Sequence, residues 1–163
     1  MKPIRIVCAT MIVLFFVTCK KKECCDIPVA PDFMLAQKNG VKWEADPSGS
    51  NLLGDTITIS AKSNTGGEEE TMNFKIVFDG LGYYSLRANE NYYGISKAGA
   101  PSAVYKPDPT HVNNVTIIAY NQSGRILQGF FDLRFVKISD NANNLHPDKI
   151  IMSEGKFKAT LNQ

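Results

Sequence analysis

The sequence predicts an all-β protein, an antiparallel sandwich or curled barrel of about 7–9 strands. Three observations carry that expectation. Short runs rich in Val, Ile, Thr, Phe and Tyr alternate apolar with polar residues, so each offers one face to a core. Asn-Gly, Gly-Gly and other glycine-rich turn signals separate these runs. No stretch of the domain sustains a helical period, and parallel strands would need crossover helices for which there is no room.

The strands follow in order. Phe33 to Lys38, the turn Asn39-Gly40 and Val41 to Ala45 form a hairpin with the strongest short-range turn signal. Leu53 to Ala61 alternates around Ile57 and Ile59. Met72, Phe74, Ile76 and Phe78 share one face of the next strand, with Asn73 and Lys75 on the other. Tyr83 to Arg87 follows the turn at Gly80-Leu-Gly82, and Asn114 to Tyr120 is a further β-branched run. Arg125 to Ile138 is long, with Phe131, Leu133 and Phe135 on one face, and Lys149 to Leu161 closes the chain. Gly129 and Gly155 sit where bulges or bends would let these two long strands curl. Between Glu90 and Pro109 the expectation is a short helix or turn. Residues 31–163 thus read as a single β domain of ordinary size.

Ahead of that domain the chain reads as an export leader. Lys2 and Arg5 precede an apolar run from Ile6 to Val17, whose length lies in the signal-peptide range of about 7–15 residues. A membrane-spanning helix needs roughly 20 apolar residues, and Lys20, Lys21 and Lys22 end this run abruptly. Phe16-Val17-Thr18-Cys19 resembles a lipobox, the cleavage site of bacterial lipoproteins. The resemblance implies residues 1–18 as signal peptide, a diacylglycerol thioether on Cys19, and residues 19–30 as a lipidated tether. Several acyl chains together hold a protein durably on a membrane, since each buried methylene contributes about 0.8 kcal/mol. The partner expected through Cys19 is therefore a membrane.

Of the four cysteines, Cys8 would leave with the leader and Cys19 would carry lipid. Cys24 and Cys25 are neighbours in the tether, where a strained vicinal disulfide, intermolecular pairing and free thiols are all open. The domain itself contains no cysteine, so no disulfide shapes its fold. The full chain has 18 Lys plus Arg against 16 Asp plus Glu. Lys2, Arg5 and the lysine triplet account for that excess, which leaves the domain without the basic balance of a nucleic-acid binder.

Residues that could carry catalysis are few. Gly-x-Ser-x-Gly, His-Glu-x-x-His and glycine-rich phosphate loops are all absent from the sequence. The two histidines, His111 and His146, fall in predicted loops and read as solvated. Ser139-Asp-Asn-Ala-Asn-Asn144 lacks the spaced carboxylates of a calcium loop and reads as a polar turn. Glu68-Glu69-Glu70 reads as a solvated loop, because adjacent like charges repel. No metal site and no cofactor is expected.

Aromatic residues give the functional lead. Planar rings add contact area at small entropic cost, which suits a glycan- or peptide-binding surface. The candidates are Trp43, Tyr84, Tyr92, Tyr93 and Tyr105, each of which could equally fill the core. Since neighbours on a strand point oppositely, Tyr83 and Tyr84 cannot both face inward. Asp55-Thr56-Ile57 resembles the O-glycosylation motif of exported Bacteroidota proteins, which marks Thr56. Asn114-Val-Thr116 and Asn121-Gln-Ser123 fit the eukaryotic N-glycosylation pattern, a coincidence beside a bacterial leader.

Taken along its length, the chain resembles the small lipoproteins of unknown function found in Bacteroidota. The leader ending in Thr18-Cys19-Lys20-Lys21 is similar to theirs, as is the hairpin Lys38-Asn-Gly-Val-Lys-Trp-Glu-Ala45. Gly82-Tyr-Tyr-Ser-Leu86, Leu127-Gln-Gly-Phe-Phe-Asp-Leu133 and Ile151-Met-Ser-Glu-Gly-Lys-Phe157 resemble three of their later strands. The resemblance implies a β fold in the cell envelope, anchored at the outer membrane, and transfers no active residue. Some relatives carry an acidic surface-export signal after the lipidated cysteine. Lys20-Lys-Lys-Glu23 is mainly basic, so surface and periplasmic orientation both stand. The expected function is a non-catalytic binding or structural module for a glycan, peptide or protein partner. The alternative is a lipocalin-like carrier of a small apolar ligand, with an enzyme third.

Overall fold

A computed structural model describes residues 30–87, 89–141 and 145–162. Cys8, Cys19, Cys24, Cys25 and the whole leader lie outside the described residues, as do 142–144 of the polar turn. Eleven strands form the domain: β1 Phe33–Lys38, β2 Val41–Ala45, β3 Asn51–Leu53, β4 Thr56–Thr65, β5 Glu68–Val77 and β6 Gly82–Ser85. The remainder are β7 Tyr92–Lys97, β8 Ala100–Pro107, β9 Asn114–Asn121, β10 Ile126–Asp140 and β11 Lys149–Thr160. All pairings between these strands are antiparallel, as the sequence predicts, the one parallel contact being the isolated bridge Asn51–Asn162, and no helix occurs among the described residues.

The strands lie in one sheet in the order β2-β1-β11-β10-β8-β7-β5-β4-β3, with β9 on the first half of β10 and β6 on β9. β10 therefore changes partner along its length, from β9 at Ile126–Asp132 to β8 at Phe135–Asp140. The change needs a bend, and the glycines supply it. A Cβ on Gly129 would meet the Thr116 carbonyl oxygen and, at 2.9 Å, the Phe157 ring; one on Gly155 would clash with the Phe131 ring. The register of β10 slips beside both positions, between Gln128 and Gly129 against β9 and between Phe131 and Leu133 against β11. Close backbone approach at a bulge is what glycine permits.

Curling folds the sheet over itself, so Phe74 of β5 meets Phe157 of β11 at 5.9 Å and Phe131 of β10 at 6.2 Å between ring centroids. Met34, Ile57, Ile59, Met72, Leu127, Leu133 and Phe135 fill the remaining interior. Their alternation follows the period of two that the sequence shows. The sheet does not close into a barrel. Its two ends, β2 and β3–β4, meet at Asp46, which exchanges both main-chain bonds with Lys62 at 2.8 and 2.9 Å. The segment after β11 also ties onto the β3 end, where Asn162 donates to Ser50 and accepts from Leu52.

The stretch Glu90–Pro109 forms the β7–β8 hairpin in place of a helix. Its turn is Ala98-Gly99, both at positive φ, and an alanine there is not a turn signal. The first hairpin turns as expected at Asn39-Gly40, with φ of 50° and 80°.

Candidate functional site

Glu70 organises the end of the molecule where the seam opens. The triplet Glu68-Glu69-Glu70 is not a loop but the start of β5. Strand alternation sends Glu68 and Glu70 to one face and Glu69 to the other, which separates the like charges. Glu69 pairs with Lys62 at 3.1 Å on the surface. Glu70 is 5% exposed, and each of its carboxylate oxygens receives one donor. The Trp43 indole Nε1 donates to Oε2 at 2.6 Å, and the Lys38 ammonium donates to Oε1. Lys38 also reaches the Tyr93 hydroxyl at 3.5 Å. A buried carboxylate with one donor on each oxygen and a cation beside it satisfies the conditions for burying charge.

Three of the five candidate aromatics converge here as interior side chains. Trp43 is 3% exposed, and Tyr93 and Tyr105 are fully buried with rings edge to face at 5.8 Å. Burial, then the charge of Glu70, drives the Tyr93 phenol far above its usual value. Tyr105 is pushed up to about 12 by burial and by Asp140, and it donates to the Pro147 carbonyl at 2.9 Å. His146 is not a solvated loop residue. Its side chain is largely buried, 3.9 Å from Glu68, and its Nε2 has no hydrogen-bond partner. Nearby, Lys137 bonds Asp140 at 3.1 Å and the His146 carbonyl at 2.9 Å, so the loop after β10 is held down over this end.

The other candidates sit elsewhere. Tyr84 is half-buried, stacked on Phe78, with its hydroxyl 2.5 Å from the Gly80 carbonyl and 2.8 Å from Asp79. Burial and Asp79 raise its pKa. Tyr92 lies on the outer face of β7 beside a shallow groove with Ile95, Pro101 and Ala103. Of the Tyr83–Tyr84 pair it is Tyr83 that points outward, at 58% exposed. Phe130, at 50%, shares its row through Thr116, a partner of both. Thr56 opens β4 and donates to Asp55 at 3.2 Å. His111 faces Asp132 at 3.4 Å, far along the chain from His146. No group of three or more metal-ligating side chains occurs among the described residues.

Above the Glu70 cluster lies the groove that the open seam creates, about 740 Å³ in volume. Its walls are the edge of β2 from Lys42 to Asp46 and the end of β4 from Lys62 to Thr65, with Asp32, Phe33 and Leu35 alongside. Trp43 belongs to both places, bonded to Glu70 beneath and lining the groove above. No protein-family model, curated protein or solved structure matches this chain.

Proposed function

We propose that the chain is a lipid-anchored cell-envelope protein whose β domain is a non-catalytic binding module for a glycan, peptide or protein partner. The observation that supports it is the contrast between a packed interior and an open groove. Phenylalanine rings fill the inside of the curl, which leaves a carrier of small apolar ligands little interior to use. The groove by contrast is preformed, because its floor residue Trp43 is fixed by a buried hydrogen bond. A rigid floor lowers the ordering cost of binding.

Two measurements test this reading. Cys19→Ala abolishes acyl labelling and membrane retention in the expected outcome, and a variant still labelled removes the anchor from the proposal. Glycan and peptide arrays probed with the full-length chain in detergent give hits that weaken when the groove is filled by Leu35→Arg or Asn64→Trp substitution. Hits indifferent to both changes place the binding surface elsewhere, with the exposed Tyr83–Phe130 row next to be mutated.

A further inference from the structure

The seam has a register, and the register says what is missing from it. The two-residue turn makes Lys38–Val41 a bonded pair, so Trp43 and Ala45 also bond β1 while Lys42, Glu44 and Asp46 turn their main-chain groups away from it. On the other side, the Leu53–Thr56 turn directs the main-chain groups of Lys62 and Asn64 toward β2. Asp46 and Lys62 form the one rung where these edges meet. The next rung in register is Glu44 with Asn64, and it does not form; both residues line the groove instead. β2 is accordingly an edge strand that ends the sheet.

The charged side chains around the groove are already engaged. Lys42 pairs with Glu44 at 2.6 Å and Lys62 with Glu69 at 3.1 Å. Asp46 accepts from the Ser48 amide at 2.9 Å, and Asp32 from the Thr160 amide at 2.7 Å. What the groove offers a ligand is thus an alternation of main-chain donors and acceptors, with Phe33 and Leu35 as an apolar wall. An extended polypeptide matches that repeat, and a sugar does not. Nor does Trp43 present a ring face for sugar stacking, at 3% exposed.

We propose that the groove between β2 and β4 binds an extended segment of a partner polypeptide by strand addition to the β2 edge at Lys42 and Glu44. This names the ligand class of the binding-module reading and rests on it. The added strand continues the seam beyond the Asp46–Lys62 rung and covers an edge that is otherwise a liability to the fold.

The test is a selection of phage-displayed random heptapeptides on the full-length chain in detergent, followed by titration of the enriched peptides. Glu44→Pro removes the N–H that faces the groove and leaves the β1 ladder intact, whereas Glu44→Ala removes only the side chain. Strand addition predicts at least about tenfold weaker binding to Glu44→Pro and a change within about threefold for Glu44→Ala. Should Glu44→Pro misfold, the enriched peptide N-methylated at alternate residues carries the same prediction on the unaltered protein. Equal binding of both variants, or of the N-methylated peptide, overturns strand addition while the binding-module reading stands. Glycan hits without any enriched peptide do the same. A concentration-dependent dimer that Glu44→Pro dissolves overturns it in favour of a second copy of this chain. The absence of both peptide and glycan hits overturns strand addition and, with it, the glycan and peptide arms of the binding-module reading.

Discussion

The indole of Trp43 donates to the Glu70 carboxylate at 2.6 Å across the seam, from the strand at one end of the sheet to the third strand from the other. Main-chain pairing between the sheet ends stops at Asp46–Lys62, and from there this side-chain bond continues the closure on the inside. The same bond fixes the floor of the groove on the outside. Closure and site are one device.

Trp43→Phe should therefore destabilise the domain by about 1–3 kcal/mol, the cost of leaving a buried acceptor short of a partner. Glu70→Leu also strips Lys38 of its carboxylate, and it should cost about 3 kcal/mol or more. A double-mutant cycle by urea denaturation should give a coupling well above the additive limit. Additive effects would show that the bond contributes nothing across the seam.

Gly155→Ala should be more damaging than an ordinary surface change, because its Cβ has to displace the Phe131 ring at the bend in β11. Overpacking of this kind costs typically 1–3 kcal/mol, read as a fall in Tm. Gly129→Ala should act likewise through Phe157 and the Thr116 carbonyl. A Tm unchanged in both would mean that the strands bend for another reason.

Alkaline pH should unfold the domain early. The phenols of Tyr93 and Tyr105 are held neutral in the fold, with Tyr105 near about 12, while in the unfolded chain they ionise near 10. Their contribution is complete below pH 10 and is lost as pH rises above it. Tyr105→Phe should reduce the loss of stability between pH 10 and about 12, followed by circular dichroism, with the Tyr93 share remaining. An unchanged slope in that variant would assign the alkaline loss to other groups.

Acid acts through Asp108. Thr110, through its hydroxyl and its amide, then Lys149, holds this carboxyl down to about 2. A depressed pKa stabilises the fold above the unfolded value of 3.8 and ceases to as pH falls toward about 2. Asp108→Asn should be less stable than the parent at pH 7 and converge with it below pH 2. A gap that persists at low pH would mean that the effect is steric rather than electrostatic.

Much of this molecule follows from local rules. A period of two in Met72-Asn-Phe-Lys-Ile76 is enough to place Phe74 inside, and Asn39-Gly40 is enough to turn the first hairpin. Gly129 and Gly155 could be recognised as bends because long strands need somewhere to curl. The β7–β8 hairpin escaped because its turn uses Ala98 at positive φ, which no propensity favours. Glu70 escaped because three adjacent acids suggest water. It shares a face with Met72 and Phe74, but the partners that make its burial affordable, Trp43 and Lys38, are brought by other strands.

The sequence by itself determined the fold class, the position of most strands outside Glu90–Pro109, and the leader-like start that points to Cys19. Tertiary structure alone decided which way each aromatic faces and where the sheet fails to close. Alternation is a property of neighbouring residues, so it is written along the chain. The seam joins strands distant in sequence, and its open rung at Glu44 and Asn64 exists only once the curl has brought β2 and β4 together.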